Sequence, residues 1–471
     1  MKRIMKKNNS FIKIGLIYTV SNVIIKGMAF LTTPIFTRLM SQEAYGNFSS
    51  IAAWASIISI IAALSLYSSI SRAKYDYPDR IDSYVSTITL VASVFSMLMW
   101  GIMEINMPLW EGILKMDRVY IRSILLYAVF SPCVQALLTK YRMYNEYKKV
   151  IVLTWITLLV TTLSSLGFTI FMTDKLTGRV IGTYGVVAVV YIPIWIYALV
   201  KGRRISLSFC KYAFALSLPL LVHELSTLLL NSSDKIIIHQ LCGENDAALY
   251  SIAYTIAMII TMLMSSVNQA WVPWFFDKLE AKDTDSVRKV VPAYTLVFTL
   301  GSIALMLVGP EMVLIFGGRD YLPAVSVIPP ICFSVALQFV YTLYVNVEFY
   351  LKKTKFISLA TVGATAINIG LNFLLIPRFG YIAAAYTTVI GYAFMVVFHY
   401  LVCRRTEYRT LFNVKVLLLN LLVSFGGMLL VLVLYRWNAV RLAVTALLVI
   451  AVVLFALIKR KMLIEKIKKF M

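Results

Sequence analysis

The sequence predicts an all-α polytopic membrane protein with about fourteen transmembrane helices, and three observations carry that expectation. Hydrophobic residues make up 60% of the 471 and charged residues 14%, against about 45–50% apolar and about 25% charged in a soluble domain. Mean hydropathy is +0.81. The apolar residues gather in runs bounded by charge clusters, each near the ~20 residues that a helix needs to cross hydrocarbon. This composition excludes a disordered chain and a nucleic-acid-binding globule, and it argues against a water-soluble enzyme.

The runs fall near 11–38, 45–70, 81–103, 119–138, 150–172, 180–200, 212–231, 247–271, 290–309, 321–350, 356–375, 382–402, 413–435 and 442–458. The first follows MKRIMKKNNS without a small-residue cleavage site, so it reads as an uncleaved membrane helix. Pro219, Pro310, Pro329 and Pro330 are expected to kink or break helices in the 212–231 and 290–350 regions.

Lys and Arg number 45 against 22 Asp and Glu. With an even count of spans and a cytoplasmic N-terminus, 32 of the basic residues fall in inside segments and 11 in outside ones. That asymmetry is the positive-inside pattern, and it places both termini in the cytoplasm. The loops are short, the longest outside stretch being near 232–246. No G-x-x-x-x-G-K-[ST] phosphate loop is present, so transport would run on an ion gradient, the membrane potential or the substrate's own gradient. Five scattered cysteines without C-x-x-C spacing indicate neither a disulfide framework nor a metal site, and no cofactor is expected.

Polar residues recur at helical spacing inside several spans. Helix 1 carries Thr19, Asn22, Lys26 and Thr33, and helix 7 carries Ser217, Glu224, Thr227, Asn231 and Asp234. Helix 8 carries Tyr254, Thr261, Ser265 and Asn268, and helix 11 carries Thr361, Thr365, Asn368 and Asn372. Ser, Thr and Asn commonly join helices by hydrogen bonds. Charges differ, because Lys or Asp at the bilayer centre costs ~2.5–3.5 kcal/mol on insertion scales. Lys26 and Glu224 therefore read as facing a cavity or each other, with His223 beside Glu224 as a further candidate. Glu348 is expected to meet Lys352 one helical turn on. A cationic cavity at the midplane suits an anionic substrate, and Trp271 and Trp274 are candidates to stack on sugar rings.

Three segments carry a family resemblance. Helix 1 and its loop hold Pro34, Arg38, Leu39, Tyr45 and Gly46; helix 7 and its loop hold Pro219, Asp234-Lys235 and Tyr250. Helices 11–12 read NIGLNFLLIPRFGYIAAAYTT, with Asn368, Asn372, Pro377, Gly380, Ala383, Ala384, Ala385 and Thr387. Over essentially the whole chain the sequence resembles the polysaccharide flippases of the multidrug/oligosaccharidyl-lipid/polysaccharide (MOP) exporter superfamily, of the O-antigen or capsule repeat-unit type. The segments from Thr37 and from His239 are also similar to each other at an offset near 205, as in transporters with internal repeats.

The resemblance implies two six-helix lobes related by a pseudo-two-fold, at 1–205 and 206–405, with helices 13 and 14 and a basic tail at 406–471. It implies a flippase that moves an undecaprenyl-pyrophosphate-linked oligosaccharide from the inner to the outer leaflet of the bacterial cytoplasmic membrane by alternating access. Such a protein makes and breaks no covalent bond. Its partners would be the lipid-linked substrate, membrane lipid, H+ or Na+, and polysaccharide polymerase and chain-length proteins, with no nucleic acid. Cavity candidates are Asn22, Lys26, Thr33, His223, Glu224, Thr227, Asn231 and Asn268; coupling candidates are Glu224 and Asp234. The alternatives are a cation-coupled multidrug antiporter of the same superfamily and a polytopic polysaccharide polymerase or ligase.

The charge asymmetry makes a direct prediction. In a Cys-free background, Lys175→Cys and Gly243→Cys should react with an impermeant thiol reagent added outside intact cells, and Glu280→Cys should not. The reverse labelling pattern would invert the topology.

Overall fold

The computed structural model of the chain describes residues 27–28 and 30–458, which are helical with no strand among them. The main helices, with shorter ones between them, are in chain order α1 (30–39), α2 (Gln42–Ala63), α3 (Ile81–Ile105), α4 (Arg118–Met143), α5 (Tyr147–Phe171), α6 (Val186–Gly202) and α7 (Leu207–Cys242). They continue with α8 (Glu244–Glu280), α9 (Thr284–Leu307), α10 (Ile328–Tyr350), α11 (Thr354–Phe379), α12 (Ile382–Arg404), α13 (Val414–Leu434) and α14 (Asn438–Ile458). Among the described residues, twelve helices are long and apolar enough to cross a membrane. They are α2–α13, and they coincide one for one with the apolar runs from 45–70 to 413–435. The protein is a multi-pass helical membrane protein.

Side chains start several of these helices. Ser41, Asp117 and Asn413 accept backbone N–H groups at the first turns of α2, α4 and α13. Asp283 caps α9 and accepts from Lys278 and Ser286, and these hydrogen bonds hold its carboxyl below the usual range. The prolines act in different ways. Pro219 is accommodated inside the 36-residue α7, whereas Pro329 and Pro330 open α10, where a missing N–H leaves no bond unmade. Pro310 lies in a short helix, Gly309–Phe316, that follows α9.

The stretch near 232–246, expected as the longest outside loop, is not a loop. α7 runs on to Cys242 and α8 begins at Glu244, so Gly243 alone turns the chain. Its φ of 95° and ψ of −177° form a conformation open essentially to glycine. The charges of Asp234 and Lys235 mark a boundary in the sequence, yet Asp234 is buried within the helix.

The chain packs as two units. The first holds the described residues up to Ser251 together with Phe316–Gly318 and Ser358–Thr387; the second holds Ile252–Ile315, Arg319–Ile357 and the residues from Thr388 on. In the first, α4 is enclosed by α2, α3 and α6, with Ile121, Ile124, Leu125 and Ala128 fully buried. Small hydroxyls bind these helices together: Ser93 Oγ donates to the Val129 carbonyl at 2.8 Å and accepts from Trp195 Nε1 at 2.9 Å. Where α3, α4 and α6 meet at their basic ends, Asp82 pairs with Lys140 and lies 3.7 Å from Lys201.

In the second unit α10 is central, and its apolar stretch is 78% buried. Trp271 stacks on Tyr294 at 4.6 Å and Phe298 on Phe339 at 4.4 Å. Trp271 is thus buried in aromatic packing rather than presented to a sugar. Glu348 departs from its expected partner as well. α10 ends at Tyr350 and Lys352 turns to a left-handed φ of 57°, so the one-turn spacing to Lys352 is lost. The acid instead lies 2.7 Å from His399 Nδ1 on α12, with both side chains fully buried and Tyr341 stacked on the imidazole. At the start of α14, Arg441 forks onto Glu311 at 2.6 and 2.7 Å and donates to the Leu307 carbonyl.

Removing one partner of a buried hydrogen bond leaves the other unsatisfied and costs about 1–3 kcal/mol. His399→Ala should therefore lower the thermal unfolding midpoint of the purified protein sharply, and Lys352→Ala should leave it nearly unchanged. Equal midpoints for the two variants would contradict the pairing.

Candidate functional site

The site begins at a break in the chain after α2. Leu64 and Ser65 both take left-handed backbone conformations, with φ of 49° and 48°, each costing an L-residue roughly 1–2 kcal/mol. A 3-10 turn, Leu66–Ser69, follows. The break presents three hydroxyls to one carboxylate on α7: Ser65 Oγ and Tyr67 OH donate to Glu224 Oε2 at 2.6 and 2.7 Å, and Ser68 Oγ donates to Oε1 at 3.0 Å. Each hydrogen bond contributes about 0.5–1.5 kcal/mol net, so the three together offset the strain of the break. Glu224 lies 13 residues after Lys211 and 10 before Asp234, or ~19 Å and ~15 Å along the helix. It stands near the middle of an apolar stretch.

Its neighbours on α7 behave differently. His223 Nδ1 is buried with no hydrogen-bond partner among the described residues. Thr227 Oγ1 donates back to the His223 carbonyl at 2.9 Å, and Asn231 Nδ2 to the Thr227 carbonyl at 2.7 Å. Ser217 is fully buried while Thr227 is exposed, so the polar stripe does not share one environment.

Further along α7 a second acid organises a larger network. Asp234 is 1% exposed. Its Oδ2 accepts from Tyr250 OH on α8 at 2.5 Å, and its Oδ1 from Asn372 Nδ2 on α11 at 2.6 Å. Asn372 also reaches Asn368 Oδ1 at 3.3 Å, one turn back on α11. Thr387 on α12 donates to Asn372 Oδ1, and Asn368 Nδ2 lies 3.4 Å from the Thr387 hydroxyl. Tyr250, Asn368, Asn372 and Thr387 are all fully buried. Thr365 Oγ1 donates to the Ser226 carbonyl at 2.8 Å and ties α11 to α7. Carboxylate, amide and hydroxyl oxygens are the donors that hard cations take. The motif segments of helix 7 and of helices 11–12 therefore meet around one carboxylate. Tyr250, Asn368, Asn372 and Thr387 stood in those motifs without being singled out as site residues. The available signal was two Asn one turn apart on an apolar helix, a pattern that also fits plain helix–helix bonding.

Thr33 is buried in α1, and its carbonyl accepts from Thr37 Oγ1 at 3.1 Å. Thr37 donates in addition to the Phe316 carbonyl at 2.6 Å. Asn268 belongs to the second unit, where its Oδ1 accepts from Asn346 Nδ2 at 3.3 Å. Asn22 and Lys26 lie outside the described residues, and so does one half of the expected Lys26–Glu224 pair.

The similar segments after helices 1 and 7 pack on each other. Gln42 donates to the Asn245 carbonyl across a separation of 203 residues, and Ser49 meets Ser251 across 202. His239 Nε2 bonds Asn47 Oδ1 at 2.7 Å. Gly46 makes the approach possible, since a Cβ there would fall 1.8 Å from the Glu244 carbonyl oxygen.

A family model described as polysaccharide biosynthesis protein matches residues 11–278. The chain is 22% identical over 382 residues to a protein of the Lsg locus of Haemophilus influenzae, covering 76% of this chain and 89% of that one. Its fold is similar to the lipid II flippase MurJ in an inward closed conformation, with a TM-score of 0.61 at 13% identity over 93% of this chain and 100% of that chain. It is similar also to an inward-facing multidrug resistance MATE family transporter of the MOP superfamily, with a TM-score of 0.62 at 14% identity over 91% and 99%.

Proposed function

The chain belongs to the polysaccharide biosynthesis protein family, and on that premise we propose that it is a flippase for an undecaprenyl-pyrophosphate-linked oligosaccharide. The repeat unit moves from the inner to the outer leaflet of the cytoplasmic membrane, where a polymerase and chain-length proteins receive it. The observation that carries this reading is a pair of carboxylates, Glu224 and Asp234, on one membrane-spanning helix of a chain from this family, each supplied with its own donors. Acids on spanning helices are expensive to insert and mark ion and substrate pathways.

The carrier works by alternating access of two six-helix lobes, 1–205 and 206–405, with both termini cytoplasmic. Contacts between positions about 202 residues apart support an internal two-fold, because a two-fold axis brings equivalent positions together. Lys26 supplies positive charge for the pyrophosphate, since a desolvated phosphate is best met by charge-assisted hydrogen bonds. Glu224 answers Lys26 when substrate is absent, and Ser65, Tyr67 and Ser68 continue to serve its oxygens when substrate takes Lys26 away. Asp234 is the coupling acid. A proton or sodium ion enters among Asp234, Asn368, Asn372 and Thr387 as the Asn372 amide rotates its oxygen toward the carboxylate. Binding there tightens α7 against α11 and α12, which gives a local ion a grip on three helices.

In a host lacking its own repeat-unit flippase, but with the matching glycosyltransferases, this chain should restore surface polymer. Lys26→Ala should abolish that rescue at normal expression, and Lys26→Arg should keep part of it because the charge survives. Absent polymer combined with new resistance to cationic drugs would replace the flippase by the antiporter reading.

A further inference from the structure

A groove of about 640 Å³ opens in the first unit between α4, α5 and α6, remote in sequence from both carboxylates. Its floor and walls are aliphatic along most of their length, with Val152, Ile156 and Val190 among them. Its polar groups gather at one end. Lys148 and Lys149 stand on the rim, and Tyr141 and Tyr197 close that end. Lys149 lies over the Tyr141 ring at 5.2 Å, and Lys201 over the Tyr197 ring at 5.6 Å. Two of these cations have carboxylates close by, Glu146 at 2.8 Å from Lys149 and Asp82 at 3.7 Å from Lys201. Lys148 has no hydrogen-bond or ion-pair partner among the described residues and is exposed. The helix forming one wall, α5, is the least enclosed of the twelve spans among the described residues, with 17% of its apolar stretch buried.

We propose that this groove is a binding site for one anionic membrane phospholipid, its phosphate at Lys148 and Lys149 and an acyl chain along Val152, Ile156 and Val190. Charge fixes the headgroup. Basic pockets between transmembrane helices hold anionic lipid heads, and each Lys near the surface contributes about fivefold in affinity. Length fixes the chain. From Lys148 to Ile156 the groove follows eight residues of helix, or ~12 Å, which is close to one leaflet of a core ~30 Å thick. That depth fits a fatty acyl chain and is too short for a polyprenyl chain, which must run on far beyond it. The aromatic rings at the rim lie at the level where amphipathic side chains mark the membrane surface. A lipid seated here fills the gap beside α5, so the helix least supported by protein is supported by lipid.

The test is native mass spectrometry of the purified full-length protein, titrated with phosphatidylglycerol or phosphatidylcholine of equal chain length. One phosphatidylglycerol should be retained in preference to phosphatidylcholine. Lys148→Gln with Lys149→Gln should weaken that retention by about 25-fold, from two lysines at about fivefold each. Ile156→Trp, which fills the groove, should weaken it with the lysines intact. A phosphatidylglycerol with a photoreactive acyl chain should crosslink to α5 at Val152 or Ile156, a readout that needs no variant to fold. Equal retention of the two lipids, or retention unchanged in both variants, would reduce the groove to ordinary lipid-facing surface and overturn the proposal. Displacement of phosphatidylglycerol by an equimolar undecaprenyl phosphate would overturn it too, by making the occupant a polyprenyl lipid.

Discussion

A polar side chain in hydrocarbon has no water to fall back on, and the surroundings of Glu224, Asp234 and Glu348 are built around that constraint. Glu224 takes three hydroxyls from the turn after α2, Asp234 takes a tyrosine and an asparagine, and Glu348 takes a histidine. Much local architecture follows from supplying these partners. The left-handed pair Leu64–Ser65 exists where Ser65, Tyr67 and Ser68 must turn toward α7. The second asparagine of α11 faces α7 rather than lipid because Asp234 lies there. The two acids on α7 differ in kind: Glu224 is held by one short segment, whereas Asp234 is held by α8 and α11, with α12 joined through Thr387. A change at Asp234 is felt by four helices, and a change at Glu224 by two.

Close contact between the similar segments is a second organising feature. Gly46 lets α2 meet the start of α8 at backbone distance. Small residues allow helices to approach in membranes, where hydrophobic burial does not drive their association. Hydrogen bonds at separations of 202 and 203 residues lie beside this contact. A repeat that began as two copies would meet itself at such a place.

The sequence made the spans legible because membrane crossing depends on length and apolarity, both of which are written locally. It was less informative wherever the outcome turned on a partner far along the chain. Asp234 and Lys235 read as the edge of a span, since nothing nearby announces Tyr250 and Asn372 as partners that let the helix continue. Glu348 and Lys352 had the right spacing, but α10 stops at Tyr350 and the interior offers His399. Ser65, Tyr67 and Ser68 gave no warning of their role, because the break that turns them has neither glycine nor proline. The motif residues Asn368, Asn372 and Thr387 were visible as a pattern, and only the fold joins them to an acid on another helix.

On the proposed mechanism, Asp234 is the group through which an ion acts on the helices around it. The most direct measurement is translocation of a lipid-linked oligosaccharide into the opposite leaflet of proteoliposomes, with and without an imposed sodium or proton gradient. For the wild-type protein one of the two gradients should accelerate translocation. In Asp234→Asn, reconstituted at equal density, that acceleration should vanish while the protein remains folded. Undiminished stimulation of Asp234→Asn by the same gradient would contradict the account.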